Sequence, residues 1–235
     1  PLFLISFGRS YVWYVCTPGA AACGTVALAA HQIIINVFFL FTIAGESVFQ
    51  TAQAFLPEFQ EAQARAKGAS AEAHEDATHQ VKKLAKKILA IALCIGVVQS
   101  LVSFIPTFLF PQMFCSDKDV IAQVRKVSPL LALSIFPHCM TIAVEALLLN
   151  SKDVDFLGIL YVIKSIAWTV FVKCVIDFFP TLSALWIGMM FFQYLRGACW
   201  GLRLVFSGKK LGIPIYVRKH RRRRIPGTGK KAASS

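Results

Sequence analysis

Between Val26 and Phe59 the chain is too apolar for water and too rich in amides to lie bare in lipid. Gln32, Asn36, Thr42, Glu46, Gln50 and Gln53 interrupt an otherwise hydrophobic run. At about 100° per residue these six fall within an arc of about 120°, because steps of four, seven and ten residues return to one side of a helix. The opposite side, Ile33, Val37, Phe41, Val48 and Phe55, suits lipid or a neighbouring helix. Burying a carboxylate and several amides in hydrocarbon costs several kcal/mol unless they meet a cavity, an ion or a partner. Two readings stay open: the stripe lines a cavity with Glu46 as its functional acid, or the amides tie helices together by hydrogen bonds.

The remainder agrees with a membrane setting. The chain is 56% hydrophobic with a mean hydropathy of +0.61, far above a soluble domain of this size. A span needs about 20 mostly apolar residues, and six stretches are read as spans, at about 2–18, 26–56, 84–110, 127–149, 156–179 and 182–206. They form one all-α lobe over residues 1–208, with a polar loop at 58–83 and a basic, disordered tail at 209–235. The chain opens on Pro1, and its first residues already read as helix. We therefore expect it to be the later part of a longer chain.

Net charge is +13, and ten of the 25 Lys and Arg residues follow Ser207. Connections on one side of the membrane carry the basic residues of 58–87, Lys152 and the tail, against only Lys118, Arg125 and Lys126 on the other. Short cytoplasmic loops hold the excess of Lys and Arg, so the 58–83 loop and the tail are expected on the cytoplasmic or equivalent inner side. The tail fixes topology or meets anionic lipid; with six spans, nucleic acid is not an expected partner. Seven cysteines without a CxxC pair read as small buried hydrophobes, not a disulfide framework or zinc site. The chain has no phosphate loop, no HExxH and no serine elbow, so no enzyme chemistry is expected.

Several charges lie inside the spans. Glu145 in the fourth either snorkels to the interface or lines a pathway. Pro129 and Pro137 break up that helix and permit bending. Lys164 sits too deep in the fifth span to reach an interface comfortably, whereas Lys173 reaches one. Arg196, central to the sixth, is the costliest charge, and Glu46 or Glu145 is its expected partner. Gly197 and Gly201 form a Gly-x-x-x-Gly packing pair. His31 and His138 read as packed histidines.

Gly24 to Gln32, a small-residue run ending in Ala-Ala-His-Gln, resembles the start of the eighth helix of multidrug and toxin extrusion (MATE) transporters. Gly45-Glu46-Ser47 followed by Gln50 to Pro57, Val144 to Leu148 with Lys152-Asp153 and Phe156-Leu157, and Phe192-Gln193 with Arg196 resemble the DinF-like branch and its plant plastid members. The likeness runs from about Tyr11 to Leu204. It implies the C-terminal half of a twelve-helix transporter, and an absent N-terminal lobe of the same chain as its partner in the bilayer. It implies a secondary antiporter exporting a small organic solute against protons or sodium by alternating access, with no cofactor or metal beyond that ion. Glu46, Glu145 and Arg196 are the pathway and ion-coupling candidates, and Gln32, Asn36, Thr42, Gln50 and Gln53 the cleft lining. The alternatives are a non-transporting scaffold with a lipid-binding tail, or a lipid-linked flippase of the related superfamily. The plastid envelope is the expected membrane, with the plasma or vacuolar membrane as alternatives.

Overall fold

Six long helices account for most of residues 2–207, the part described by the computed structural model. They are α1 (Leu2–Ala22), α2 (Thr25–Lys67), α3 (Ala71–Leu109), α4 (Lys118–Asn150), α5 (Val154–Phe178) and α6 (Leu182–Ser207), with a 3-10 turn at Pro111–Met113. The basic tail lies outside the described residues. α2, α3, α4 and α5 are long and apolar enough to cross a membrane, and the all-α membrane architecture expected from the sequence is the one observed.

Two helices are longer than their apolar runs. α2 passes through Pro57 to Lys67, and α3 starts at Ala71, so most of the segment expected as a loop at 58–83 is a helical hairpin around residues 68–70. An interior proline removes one backbone bond and costs about 3 kcal/mol or more. The helix survives because the residues beyond it, rich in Ala, Glu and Gln, are strong helix formers, and because the hairpin closes on itself. Gln63 Nε2 donates to Thr78 Oγ1 at 2.8 Å, and Ser70 caps α3 by accepting from the Ala73 N–H. Gly24, between α1 and α2, holds φ at 104°, open to glycine and strained for other residues.

α4 is the hub. It packs along α2, α3 and α6, while α1 lies chiefly along α5, so the lobe is a four-helix block with a helix pair against it. Leu131, Cys139, Ala143 and Leu147 on α4 are fully covered. On α2 the buried stripe runs through Ile34, Phe38, Ala52 and Leu56, each fully covered. Val37 and Val48 of the apolar face expected from sequence are buried with them, but Phe55 is 53% exposed. All seven cysteines are free. Cys16 and Cys139 are buried as expected, whereas Cys94 and Cys174 are exposed on apolar helix faces.

The Gly-x-x-x-Gly pair divides. A Cβ on Gly197 would lie 2.8 Å from Thr141 Oγ1, but one on Gly201 would meet nothing within 4 Å. Gly197→Ala is therefore expected to lower stability by about 1–3 kcal/mol through overpacking. Gly201→Ala should leave it unchanged or slightly raised, since alanine favours helix. Thermal unfolding in detergent distinguishes them, and equal effects would show that only Gly-to-Ala helix propensity matters at both positions.

Candidate functional site: a guanidinium between two carboxylates

Hydroxyls in the helices are mostly satisfied locally. Thr42, Ser47, Thr51, Ser128, Ser134 and Thr141 each donate to a carbonyl one turn back. Amides reach between helices: Gln99 Nε2 donates to the Phe41 carbonyl at 2.5 Å and Asn150 Nδ2 to the Ala52 carbonyl at 3.4 Å. Gln53 Nε2 joins α2 to α4 through the Ala146 carbonyl at 3.4 Å. Gln53 thus has the hydrogen-bonding role that the sequence left open, and Thr42 bonds its own helix. Gln32, Asn36 and Gln50 remain on the exposed side of α2. They share that side with Phe39 and Ile43, 41% and 63% exposed.

Charge is concentrated where α1, α2, α4 and α5 meet. Glycine lets α1 approach α5: a Cβ on Gly8 would come within 2.9 Å of Tyr161 Cβ, whereas Gly45 on α2 leaves room for an ordinary contact. The next residue along each helix carries the charge. Arg9 Nη2 donates to Glu145 Oε1 at 2.6 Å, and Arg9 Nη1 to Glu46 Oε1 at 3.2 Å. Glu145 is completely buried, and its second oxygen accepts from Tyr161 Oη at 2.9 Å. Glu46 keeps 39% of its side-chain surface exposed. One cation therefore links an acid at the surface of the lobe to an acid in its interior, with Phe49 under the guanidinium at 5.0 Å.

This arrangement removes one of the two readings left open for Glu145 and corrects the partner expected for Arg196. Glu145 does not snorkel: it is sealed between α1 and α5. Arg196 pairs with neither glutamate. Its Nη2 meets His138 Nδ1 at 3.4 Å, its guanidinium lies 5.0 Å from the Trp200 ring, and it is 5% exposed. Gln193 Nε2 shares the His138 nitrogen at 3.2 Å, so Nδ1 acts as an acceptor. Two members of the cluster, Arg9 and Tyr161, escaped the sequence reading. A usable signal existed for Arg9, the only charged residue before Glu46: in an apolar run it requires an acid partner.

Lys173 pairs with Asp177 one turn on, both exposed. Arg203 makes a bidentate pair with Asp153 at 2.7 and 3.0 Å, fastening the start of α5 to the end of α6. His31 is buried and accepts from Trp186 Nε1 at 3.3 Å. Among the described residues no three His, Cys, Asp or Glu side chains gather as a metal site.

Over 215 residues the sequence is 26% identical to Protein DETOXIFICATION 47, chloroplastic, of Arabidopsis thaliana. The alignment takes in 88% of this chain and 36% of that protein, so the chain spans little more than a third of its relative's length. No family model and no solved structure matches.

Proposed function

From the likeness to the chloroplastic DETOXIFICATION protein, we propose that the chain is a multidrug and toxin extrusion protein of the plant plastid branch and works as one lobe of a secondary active antiporter. It exports an organic solute against protons or sodium by alternating access, as a transporter and not an enzyme. The plastid envelope is the membrane that fits the relative's printed name. The exposed side of α2, with Gln32, Asn36 and Gln50 among Phe39 and Ile43, offers both amides and apolar surface to a solute.

The Arg9 bridge carries this reading. Glu46 is reachable from outside, so a proton or sodium ion arriving there competes directly with Arg9. Once Glu46 is neutralised, Arg9 is left to Glu145 alone, and the balance between two arrangements of the helices shifts by the lost interaction. Glu145 is covered and doubly bonded, which suits it to anchoring Arg9. Arg196 is placed to position His138 and Gln193 rather than to pair an acid.

Glu46→Gln tests the proposal, because the amide keeps an oxygen for Arg9 while removing the titratable charge. In liposomes containing the purified full-length protein, efflux of preloaded ethidium or benzoate driven by an imposed pH or sodium gradient is expected in the wild type. In the variant it should fall to background, with the amount of folded protein unchanged on size exclusion. Undiminished gradient-driven efflux rejects Glu46 as the coupling acid. Flipping of a lipid-linked diphosphate draws less support: the basic cavity beside Lys164 and Arg196 has a volume of about 10 Å³, far below a diphosphate.

A further inference from the structure

Beside the glutamates, between α1, α5 and α6, lies a small cavity with Arg9, Lys164, Gln193 and Arg196 in its lining. Lys164, Gln193 and Arg196 are 8%, 1% and 5% exposed. Three of their buried polar atoms, Lys164 Nζ, Arg196 Nε and Gln193 Oε1, and a fourth from the lining, Arg9 Nε, have no hydrogen-bond partner among the described residues. Native interiors rarely leave such groups unmet. Three of the four are nitrogens of cationic side chains, so the lining asks mainly for an acceptor.

Net charge points the same way. Arg9, Lys164 and Arg196 bring three positive charges, while Glu46 and Glu145 bring two negative ones and both face Arg9. Asp153 is taken by Arg203. One positive charge is left over in a covered interior, where an unbalanced ion is costly. Lys164 can shed its proton, or the cavity can take in an anion. Shedding the proton forfeits an aromatic enclosure: Nζ lies 4.0 Å from the Tyr161 ring centre, 4.6 Å from Trp200 and 5.2 Å from Phe192. Ring faces attract the ammonium and not the amine.

We infer that this cavity binds a single monoatomic anion of the halide class, held by Lys164 and Arg196. The volume of about 10 Å³ admits one water-sized guest and no organic solute. Its other walls include Val12, Trp13 and Phe192, which favour a weakly hydrated halide over fluoride or sulfate. The site is separate from the exposed side of α2, and its occupation does not depend on the exporter reading.

The test uses the purified full-length protein at fixed ionic strength, with sodium gluconate replaced stepwise by chloride or bromide. Expected is a saturable rise in melting temperature of about 3 °C, accompanied by a change in tryptophan emission because Trp200 touches both cations. Sulfate should give neither, and Lys164→Met and Arg196→Met should lose both responses. Should the variants fail to fold, bromide-soaked wild-type crystals provide a second measurement, with an anomalous peak expected between Lys164 and Arg196. A melting temperature indifferent to halide, an equal shift in Lys164→Met, or no bromide peak in the cavity overturns the inference and leaves water beside a neutral lysine. Loss of transport with halide binding intact would count against the exporter reading alone.

Discussion

Arg9→Met is expected to destabilise the folded protein by about 3–5 kcal/mol, because it strips the cation from a fully buried carboxylate. Glu145 would keep only the Tyr161 hydroxyl, which cannot balance a charge in the interior. The double variant Arg9→Met with Glu145→Met should recover most of the loss, since apolar side chains of similar volume replace a buried ion pair at little cost. Glu46→Ala should cost no more than about 1 kcal/mol, as its carboxylate is 39% exposed and makes the longer contact. Melting temperature and the monodisperse fraction on size exclusion measure all three. If the single and double variants melt together, the ion pair does not hold α1 in place.

A second large effect is expected at Gly96, where α3 crosses α4. A Cβ there would stand 2.5 Å from the Phe136 carbonyl oxygen. That atom belongs to the backbone of the hub helix and cannot swing aside. Gly96→Ala should cost about 1–3 kcal/mol by overpacking, and Gly96→Leu should exceed that range by forcing the helices apart. Gly45→Ala is the control, since its nearest neighbour would be at 3.6 Å, an ordinary contact. Gly188 shows why distance alone does not rank these sites. A Cβ there would overlap the Phe171 ring at 2.0 Å, but a ring can turn where a carbonyl cannot. Unfolding midpoints in detergent should place Gly96→Leu lowest, and a value near that of Gly45→Ala would mean that α3 shifts freely along α4.

The six helices were legible because each carries an apolar stretch that stands out against its connections, although among the described residues only α2, α3, α4 and α5 have the length and hydropathy of a membrane span. Their lengths were not. Pro57 looks like a terminator, and the polar residues after it look like a loop, yet helix propensity and the contact between Gln63 and Thr78 carry both helices past the apolar run. The acids Glu46 and Glu145 were found because carboxylates stand out in hydrocarbon, but the cation was misassigned. Arg196 is the deeper-looking arginine in a linear reading, whereas partnership depends on which helices touch. Arg9 lies 37 residues from one glutamate and 136 from the other, and no local pattern encodes that α1 lies on α5 opposite α4. Gln53 and Gln50, three residues apart on the polar stripe, also part company: one bonds α4 and the other stays exposed, because the stripe straddles the rim of the interface.

The attachment of α1 and α5 to the four-helix block has a mechanical consequence. Arg9 and Tyr161, one from each member of the pair, both grip the same glutamate on the hub, so the pair has a common pivot. Glu46 adds a second fixing point off that pivot, and the Arg203–Asp153 pair ties α5 to α6 at a third. On the coupling proposed above, a charge lost at Glu46 removes one of these ties between the helix pair and the hub without unfolding either block.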